Sequence, residues 1–204
     1  MNPRLQGLYA ITDSTLLTDD QLLTAVEQAI RGGARIIQYR DKSSAQPRRL
    51  QQATQLLALC SQLGVTLIIN DDVALAAAVG ADGVHLGRDD GDIASARRVL
   101  GGGIVGVSCY NQWPLAEAAV AAGADYIAFG AFFPSATKPN AVRATPELLE
   151  RGRELGLPVV AIGGVTPENG RALVEAGADM LAVVQGVFAQ PDINAAARRY
   201  AALF

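Results

Sequence analysis

The chain is poor in the residues from which many catalytic sites are built. Its 204 residues include two cysteines and one histidine. Two cysteines cannot form the disulfide framework of a small secreted domain, so we expect a reducing, cytoplasmic environment. The same scarcity leaves few candidates for a general base or a covalent nucleophile. We interpret His85 as a pocket-wall residue and Cys109 as a small buried apolar residue.

Long apolar runs and a large net charge are also missing. Although 50% of the residues are hydrophobic, no apolar stretch approaches the roughly 18–20 residues that cross a bilayer. The opening residues Met1–Gln6 carry no signal-peptide core, and we expect no membrane association. A net charge of −3 lacks the basic excess of a nucleic-acid-binding surface, so we expect no nucleic acid. The apolar residues suffice for one sizeable core, which predicts a single domain over residues 1–204.

A short internal repeat predicts the architecture. Gly-Ala-Asp begins at Gly80, Gly123 and Gly177, and a related Gly-Gly-Ala-Arg begins at Gly32. Each copy follows an alanine-rich helical pattern and precedes an apolar run, as expected where a glycine ends a helix and a strand begins. Successive Gly-Ala-Asp copies are 43 and 54 residues apart, about the length of one βαβα unit. Four such units predict eight parallel strands.

Strict alternation of strand and helix patterns is typical of a (β/α)8 barrel or a doubly wound sheet. We favour the α/β class with a (β/α)8 TIM barrel, because the repeat is fourfold and no Gly-x-Gly-x-x-Gly follows the first strand. The predicted strands are Leu8–Thr12, Arg35–Arg40, Thr66–Asn70, Gly83–Leu86, Val105–Ser108, Tyr126–Gly130, Val159–Gly163 and Leu181–Val184. The predicted helices are Asp20–Arg31, Pro47–Leu63, Val73–Val79, Ile93–Leu100, Pro114–Ala122, Pro146–Leu155, Pro167–Ala176 and Asn194–Leu203.

Several of these strands end in polar or charged residues, and in a barrel those ends share one face. Gln38, Arg40 and Lys42 alternate by two, so they point to the same side of the second strand. A charge run is usually a solvated surface, but here an apolar strand carries it at the functional end. A planar guanidinium and a mobile ammonium at that place predict an anion site. By the same alternation, Ser108 faces the mouth from the fifth strand.

The third and fourth strands end in amide and carboxylate side chains, Asn70-Asp71-Asp72 and Asp89-Asp90. Adjacent strand ends place two carboxylates within reach of one ion, and Mg²⁺ is commonly held by one or two carboxylates, waters and substrate phosphates. The alternative is that these aspartates cap the following helices, which suits Asp72 and Asp89 best. Beside a basic cluster, the acidic pair predicts a metal-bound diphosphate.

Two glycine-containing segments indicate a second anion site. Ile162-Gly163-Gly164-Val165 and Val184-Gln185-Gly186 follow the seventh and eighth strands, where barrels commonly bind a phosphate monoester through backbone N–H groups. Ser135-Ala136-Thr137-Lys138-Pro139 follows the sixth strand and is either ordinary turn chemistry or a rigid loop that holds an anion. A phosphate beside a leaving diphosphate favours a coupling reaction in which a neutral ring nitrogen attacks a carbon electrophile.

At these residues the chain resembles the thiamine phosphate synthase family over nearly its whole length. The motifs that carry the resemblance are Leu8-Tyr9-Ala10-Ile11-Thr12-Asp13, Gln38-x-Arg40-x-Lys42, Asn70-Asp71, Gly83-Val84-His85-Leu86-Gly87, Gly106-Val107-Ser108, Ser135-x-Thr137-Lys138 and Ala161-Ile162-Gly163-Gly164-Val165. The resemblance implies a (β/α)8 barrel that joins an aminopyrimidine-methyl diphosphate to a thiazole phosphate. It also implies release of diphosphate with one Mg²⁺ per subunit.

The resemblance further implies a role for each candidate residue. The residues implied to bind the pyrimidine substrate and its diphosphate are Gln38, Arg40, Lys42, Asn70, Ser108 and Lys138, of which Arg40, Lys42, Ser108 and Lys138 are the catalytic candidates. The implied Mg²⁺ ligands are Asp71 and Asp90. The residues implied to contact the thiazole phosphate are Ser135, Thr137, Gly164, Val184 and Gln185. Three residues depart from the family pattern: Ser135 replaces threonine, Arg88 replaces glutamine and Gln185 replaces serine.

Three other functions fit the same fold. A thiazole tautomerase-like isomerase would need an acid/base residue and no metal. A sugar-phosphate isomerase or epimerase would need a proton-transfer pair, and a ligand-binding barrel without turnover would need no leaving-group site. The acidic pair and the basic cluster favour the coupling enzyme over all three. We expect its partners to be the two small-molecule substrates, and a homo-oligomer is compatible with the sequence.

Overall fold

The strands close into a parallel barrel with the helices outside it. The computed structural model describes residues 4–88, 90–134 and 142–204. Within those ranges eight strands pair in chain order, and the last pairs with the first. The strands are β1 Gly7–Ile11, β2 Ala34–Tyr39, β3 Thr66–Asn70, β4 Gly83–Leu86, β5 Ile104–Tyr110, β6 Tyr126–Phe129, β7 Val159–Ile162 and β8 Met180–Val183. The predicted (β/α)8 TIM barrel is confirmed.

The helices follow the predicted order with local differences. They are α1 Leu22–Arg31, α2 Gln46–Leu63, α3 Val73–Val79, α4 Ile93–Leu100, α5 Trp113–Ala121, α6 Glu147–Gly152, α7 Pro167–Ala176, α8 Gln185–Phe188 and α9 Ile193–Ala201. The predicted helix Pro146–Leu155 is divided into α6 and a 3₁₀ turn at Arg153–Leu155. The short helix α8 was not predicted, because four residues are too few to show a helical period. Gln185 therefore begins a helix.

Alternation along the strands separates an inner core from an outer one. Ile36 belongs to the buried cluster inside the barrel, whereas its neighbour Ile37 packs in the outer cluster with helix residues. The same parity places Gln38, His85 and Ser108 on the inner face, as predicted for Gln38 and Ser108. None of the helices around the barrel, in the part of the chain that is described, is long and apolar enough to cross a membrane.

The aspartate of each Gly-Ala-Asp repeat joins two strands at the amino end of the barrel. Each aspartate lies just before one strand of the barrel. Its side chain accepts a hydrogen bond from a backbone N–H near the start of the preceding strand. The pairs are Leu67–Asp82 at 2.9 Å, Val105–Asp125 at 2.7 Å and Val159–Asp179 at 2.8 Å. The glycines end the preceding helices as predicted; Gly80, for example, caps α3 with a left-handed φ of +73°. The role of the aspartates was not predicted.

We expect Asp179→Ala to lower the free energy of unfolding by about 2 kcal/mol, because the buried Val159 N–H would lose its acceptor. Urea denaturation measures the change. Glu175→Ala, at an exposed position of α7, is the control and should stay within about 0.5 kcal/mol of the parent protein. An Asp179→Ala protein as stable as the control would contradict the structural role of this contact.

Candidate active site

Lys42, Asp71 and Asp90 meet where β3 and β4 end. Lys42 Nζ lies 2.6 Å from Asp71 Oδ2, and the carboxyls of Asp71 and Asp90 are close enough to perturb each other's pKa. Backbone contacts hold both aspartates in place. The Asp71 N–H donates to the His85 carbonyl at 2.8 Å, and the Gly87 N–H donates to Asp90 Oδ2 at 2.9 Å. The structure thus brings together the two predicted metal ligands and one predicted anion-binding residue.

The backbone at Asp71 distinguishes it from its neighbour Asp72. Asp71 has a φ of +63°, a left-handed conformation that aspartate and asparagine adopt more readily than most residues. Asp72 instead caps α3, since its side chain accepts from the Leu75 N–H at 2.8 Å. It also pairs with Arg49 at 3.0 Å. Asp72 is therefore the predicted helix cap, and Asp71 is the residue that turns toward Lys42.

The electrostatics of the acidic pair fit a divalent cation. Burial, followed by the hydrogen bond and charge of Asp71, raises the pKa of Asp90. Burial also pushes the pKa of Asp71 upward, but hydrogen bonds with Lys42 and Asp90 and the charge of Lys42 outweigh it and lower that pKa. Two neighbouring carboxyls resist ionising together unless a cation lies beside them. No cluster of three or more His, Cys, Asp or Glu that could hold a metal ion occurs among the described residues.

Arg40 is oriented by a residue that was not predicted to be in the site. Arg40 Nη1 lies 3.0 Å from Asp13 Oδ2, and the Arg40 N–H donates to Thr12 Oγ1 at 3.0 Å. A guanidinium has five N–H donors, so the pairing with Asp13 leaves donors for an anion. The position of Thr12-Asp13 directly after the first strand is the sequence signal that could have identified Asp13.

A cavity of about 430 Å³ opens at this edge of the barrel. Lys42, Asn70, Asp71 and Asp90 contribute to its lining, as does Arg49 from α2. The Asn70 side chain also helps to lower the pKa of Asp71. Arg49 is a basic lining residue that strand-end reasoning missed, because it lies within a helix rather than after a strand.

Gln38 and Ser108 are the two ends of a hydrogen-bonded chain across the barrel interior. Gln38 Nε2 lies 2.6 Å from Tyr9 Oη, and Tyr9 Oη lies 2.8 Å from Tyr126 Oη. Tyr126 Oη lies 2.9 Å from His85 Nδ1, and His85 Nε2 lies 2.8 Å from Ser108 Oγ. His85 is buried within this interior wall of the site, but its link to Ser108 was not predicted.

Tight packing shapes the glycine loop after β7. Gly163 and Gly164 have φ values of +100° and +64°, in the left-handed region that favours glycine. A Cβ added to Gly164 would overlap Phe133 and the carbonyl oxygen of Pro134. The Asn169 side chain donates to the Gly164 carbonyl at 3.1 Å. The loop therefore has little freedom to accept a side chain at either glycine.

Tyr200 contacts the segments that follow β7 and β8. Its hydroxyl donates to the Val165 carbonyl at 3.0 Å. A Cβ on Gly186 would overlap that hydroxyl, so the start of α8 packs directly against Tyr200. Val184 precedes α8, and the first N–H groups of a helix have no acceptor within the helix. Gln185 and Gly186 thus present backbone donors here, while the Gln185 residue is exposed.

The remaining candidates fall into three groups. Ser135, Thr137 and Lys138, together with Asp89, lie outside the described residues. Arg88 has its guanidinium 4.9 Å from the centre of the Tyr110 ring. Cys109 packs in the outer cluster, and burial raises the pKa of its thiol to about 12, which confirms its interpretation as a buried apolar residue.

Comparison with known proteins identifies the family. Residues 8–187 match the family model described as thiamine monophosphate synthase. The chain belongs to the thiamine monophosphate synthase family. The match extends from β1 to α8 and includes every described residue of the candidate site, so the family identified from sequence motifs is confirmed.

Relatives of this family align along the full chain. A thiamine-phosphate synthase from Aromatoleum aromaticum is 55% identical, over 98% of this chain and 97% of its own length. A thiamine-phosphate synthase from Azoarcus sp. is also 55% identical, and the alignment covers 100% of both chains. Among solved structures, thiamine phosphate pyrophosphorylase from Pyrococcus furiosus superposes with a TM-score of 0.88 at 31% identity, covering 98% of this chain and 95% of that one.

Proposed function

We propose that the chain is a thiamine-phosphate synthase, a transferase that couples two small molecules. The substrates are 4-amino-2-methyl-5-(diphosphooxymethyl)pyrimidine and 4-methyl-5-(2-phosphooxyethyl)thiazole, and the products are thiamine phosphate and diphosphate. The observation that carries the proposal is the contact of Lys42 with the Asp71–Asp90 pair at the barrel mouth. This arrangement supplies both a cation site and positive charge for a leaving diphosphate.

Asp71 and Asp90 are the residues that would hold Mg²⁺, one ion per subunit. When bound, the ion supplies positive charge that stabilises the diphosphate as it leaves. Lys42 adds its ammonium beside the same carboxylate. Arg40 adds a guanidinium held in place by Asp13, and Lys138 is assigned to the same anion through the family motif. These groups would supply positive charge to stabilise the negative charge that develops on the diphosphate.

The reaction requires one bond to break and one to form. The bond between the pyrimidine methylene carbon and the diphosphate oxygen breaks, and its electron pair leaves with the diphosphate. The lone pair of the thiazole ring nitrogen then forms the new C–N bond, and that nitrogen becomes positively charged. Gln38, Asn70 and Ser108 would hold the pyrimidine so that its methylene carbon faces the thiazole.

This chemistry requires neither a general base nor a covalent nucleophile, which agrees with the side chains available. The thiazole nitrogen attacks as a neutral group, so no proton has to be removed first. The buried Cys109 thiol remains protonated, because burial raises its pKa to about 12. The acceleration then comes mainly from orientation and from charge stabilisation.

The thiazole phosphate would occupy the loops after β7 and β8. Gly164 and the backbone at Val184 and Gln185 supply N–H donors there, and Ser135 and Thr137 would add hydroxyls. The packing of Gly164 against Phe133 and Pro134 supports a preformed site. Because Gln185 begins α8, its backbone N–H can serve whether or not its exposed side chain takes part.

A coupling assay tests the proposed function. With both substrates and Mg²⁺, we expect equal amounts of thiamine phosphate and diphosphate, and we expect EDTA to abolish both. Omission of either substrate should stop diphosphate release as well, apart from slow hydrolysis. Isomerisation of a thiazole phosphate that continues in EDTA, without a coupled product, would instead identify the tautomerase alternative.

A further inference from the structure

The inner chain of hydrogen bonds includes three residues that have no direct role in the proposed reaction. Tyr9, Tyr126 and His85 come from three different strands, β1, β6 and β4. The two tyrosine rings meet edge to face, with centroids 6.1 Å apart and an interplanar angle of 78°. The His85 ring stacks on Tyr126, with centroids 5.6 Å apart and an angle of 23°. The three rings form one packed unit between Gln38 and Ser108.

The neighbouring strand is adapted to hold this unit. A Cβ added to Gly106 would overlap the Tyr126 ring, so the ring occupies the space that a side chain on β5 would fill. Tyr126 is 0% exposed and Tyr9 is 1% exposed. Buried hydroxyls need hydrogen-bond partners. In the barrel interior these partners are the neighbouring residues of the hydrogen-bonded series from Gln38 to Ser108. Loss of one hydroxyl therefore changes the hydrogen bonding of the next residue.

The chain of hydrogen bonds has a defined direction. Gln38 Nε2 donates to Tyr9, and a phenol has one proton of its own to donate. Either hydroxyl can donate in the Tyr9–Tyr126 contact, but only donation from Tyr9 to Tyr126, and from Tyr126 to His85 Nδ1, gives the Tyr9 proton an acceptor among these residues. A neutral imidazole that accepts at Nδ1 carries its proton on Nε2, which donates to Ser108 Oγ. The Ser108 proton is then available for a ligand.

Burial keeps the phenols in the protonated form that this direction requires. Burial is the main cause that raises the pKa of Tyr9. Burial is also the main cause that raises the pKa of Tyr126 well above its ordinary value, and the charge of Tyr9 is the second cause. Both hydroxyls therefore retain their protons across the physiological range of pH.

We infer that Tyr9, Tyr126 and His85 are positioning residues that present the Ser108 hydroxyl as a hydrogen-bond donor. The chemical partner is an acceptor atom of the pyrimidine diphosphate, an assignment that rests on the proposed function. At the other end, Gln38 points its amide nitrogen toward Tyr9, and its carbonyl oxygen can accept a hydrogen bond from an amine of the substrate. The hydrogen bonds inside the barrel therefore determine that Ser108 acts as a donor and the Gln38 carbonyl as an acceptor toward the substrate.

Nitrogen NMR tests the direction without any measurement of activity. The chain has one histidine, so ¹⁵N-labelled protein without a histidine tag gives a single pair of imidazole nitrogen signals. We expect the His85 proton on Nε2 and a non-protonated Nδ1. A proton on Nδ1 in place of Nε2 would mean that Ser108 donates to His85, which overturns the inference.

Tyr126→Phe tests the consequence for catalysis, because it removes the donor to His85 and leaves the ring in place. We expect the single His85 tautomer to be lost and kcat/KM for the pyrimidine diphosphate to fall about tenfold, the effect of one misdirected hydrogen bond. KM for the thiazole phosphate should stay within about twofold, since that substrate is held by backbone donors elsewhere. Tyr9→Phe should give a smaller fall, because Tyr126 can still donate to His85.

Tyr39→Phe is the matched control. Tyr39 is 3% exposed, and its hydroxyl donates to Gln52 at 2.6 Å in the outer layer rather than to the inner chain. A Tyr126→Phe protein no slower than Tyr39→Phe, or with an unchanged His85 tautomer, would overturn the positioning role. If the parent protein has the expected tautomer but forms no coupled product, the proposed function fails and the hydrogen-bond direction stands.

Discussion

Asp71→Asn is expected to slow the coupling reaction by about a thousandfold while the barrel stays folded. The substitution removes a carboxylate from the Asp71–Asp90 pair, so the site loses half of its negative charge for a cation. Asparagine is also the residue that best tolerates the φ of +63° at this position, so the backbone turn is retained. Rates of diphosphate release at high Mg²⁺ concentration measure the loss, and thermal unfolding checks the fold.

Asp72→Asn provides a control one residue away. Asp72 caps α3 by accepting from the Leu75 N–H, and asparagine serves equally well at that position. We expect its coupling rate to remain within about threefold of the parent, because asparagine keeps the cap that Asp72 provides. If Asp71→Asn retained a rate similar to that of Asp72→Asn, the metal site would have to be placed elsewhere.

Gly164→Ala is expected to damage both stability and binding of the thiazole phosphate. A left-handed φ of +64° is unfavourable for alanine, and the added Cβ would overlap Phe133 and the Pro134 carbonyl. We expect the free energy of unfolding to fall by about 3 kcal/mol, from backbone strain and overpacking together. We also expect KM for the thiazole phosphate to rise at least about tenfold as the loop shifts.

Gly64→Ala separates the effect of backbone strain from the effect of steric overlap. Gly64 has a φ of +69° at the end of α2, and no atom lies within 4 Å of its added Cβ. It therefore carries the backbone strain without the overlap, and we expect a loss of about 1 kcal/mol and an unchanged KM. Equal losses of stability in the two variants would show that the loop can move aside from the added methyl group.

Local patterns were enough to predict the fold and the inward-facing residues of two strands. The Gly-Ala-Asp spacing indicated four βαβα units, and alternation by two placed Gln38 and Ser108 on the inner face. Both signals depend on residues close together in the chain, where backbone geometry limits the choices. The distinction between Asp71 and Asp72 was also accessible, because a helix cap has a recognisable position before a helix.

Contacts between distant residues were not accessible from those patterns. Tyr9 and Tyr126 are 117 residues apart, and Asp13 and Arg40 are 27 apart. Their meeting depends on the tilt and stagger of strands in the closed barrel, which no local motif encodes. The same is true of His85, whose position in an apolar strand indicated burial but not its two hydrogen-bonded neighbours.

The aspartates at the amino end of the barrel have a consequence for how the chain reaches its native state. Each joins residues only 15 or 20 positions apart, so each contact restricts a short loop and loses little chain entropy. These contacts favour early formation of three locally closed units during folding. Pairing of Gly7 with Met180 is different, because it joins the two ends of the chain. The entropy lost in closing the barrel is therefore concentrated at the seam between β1 and β8.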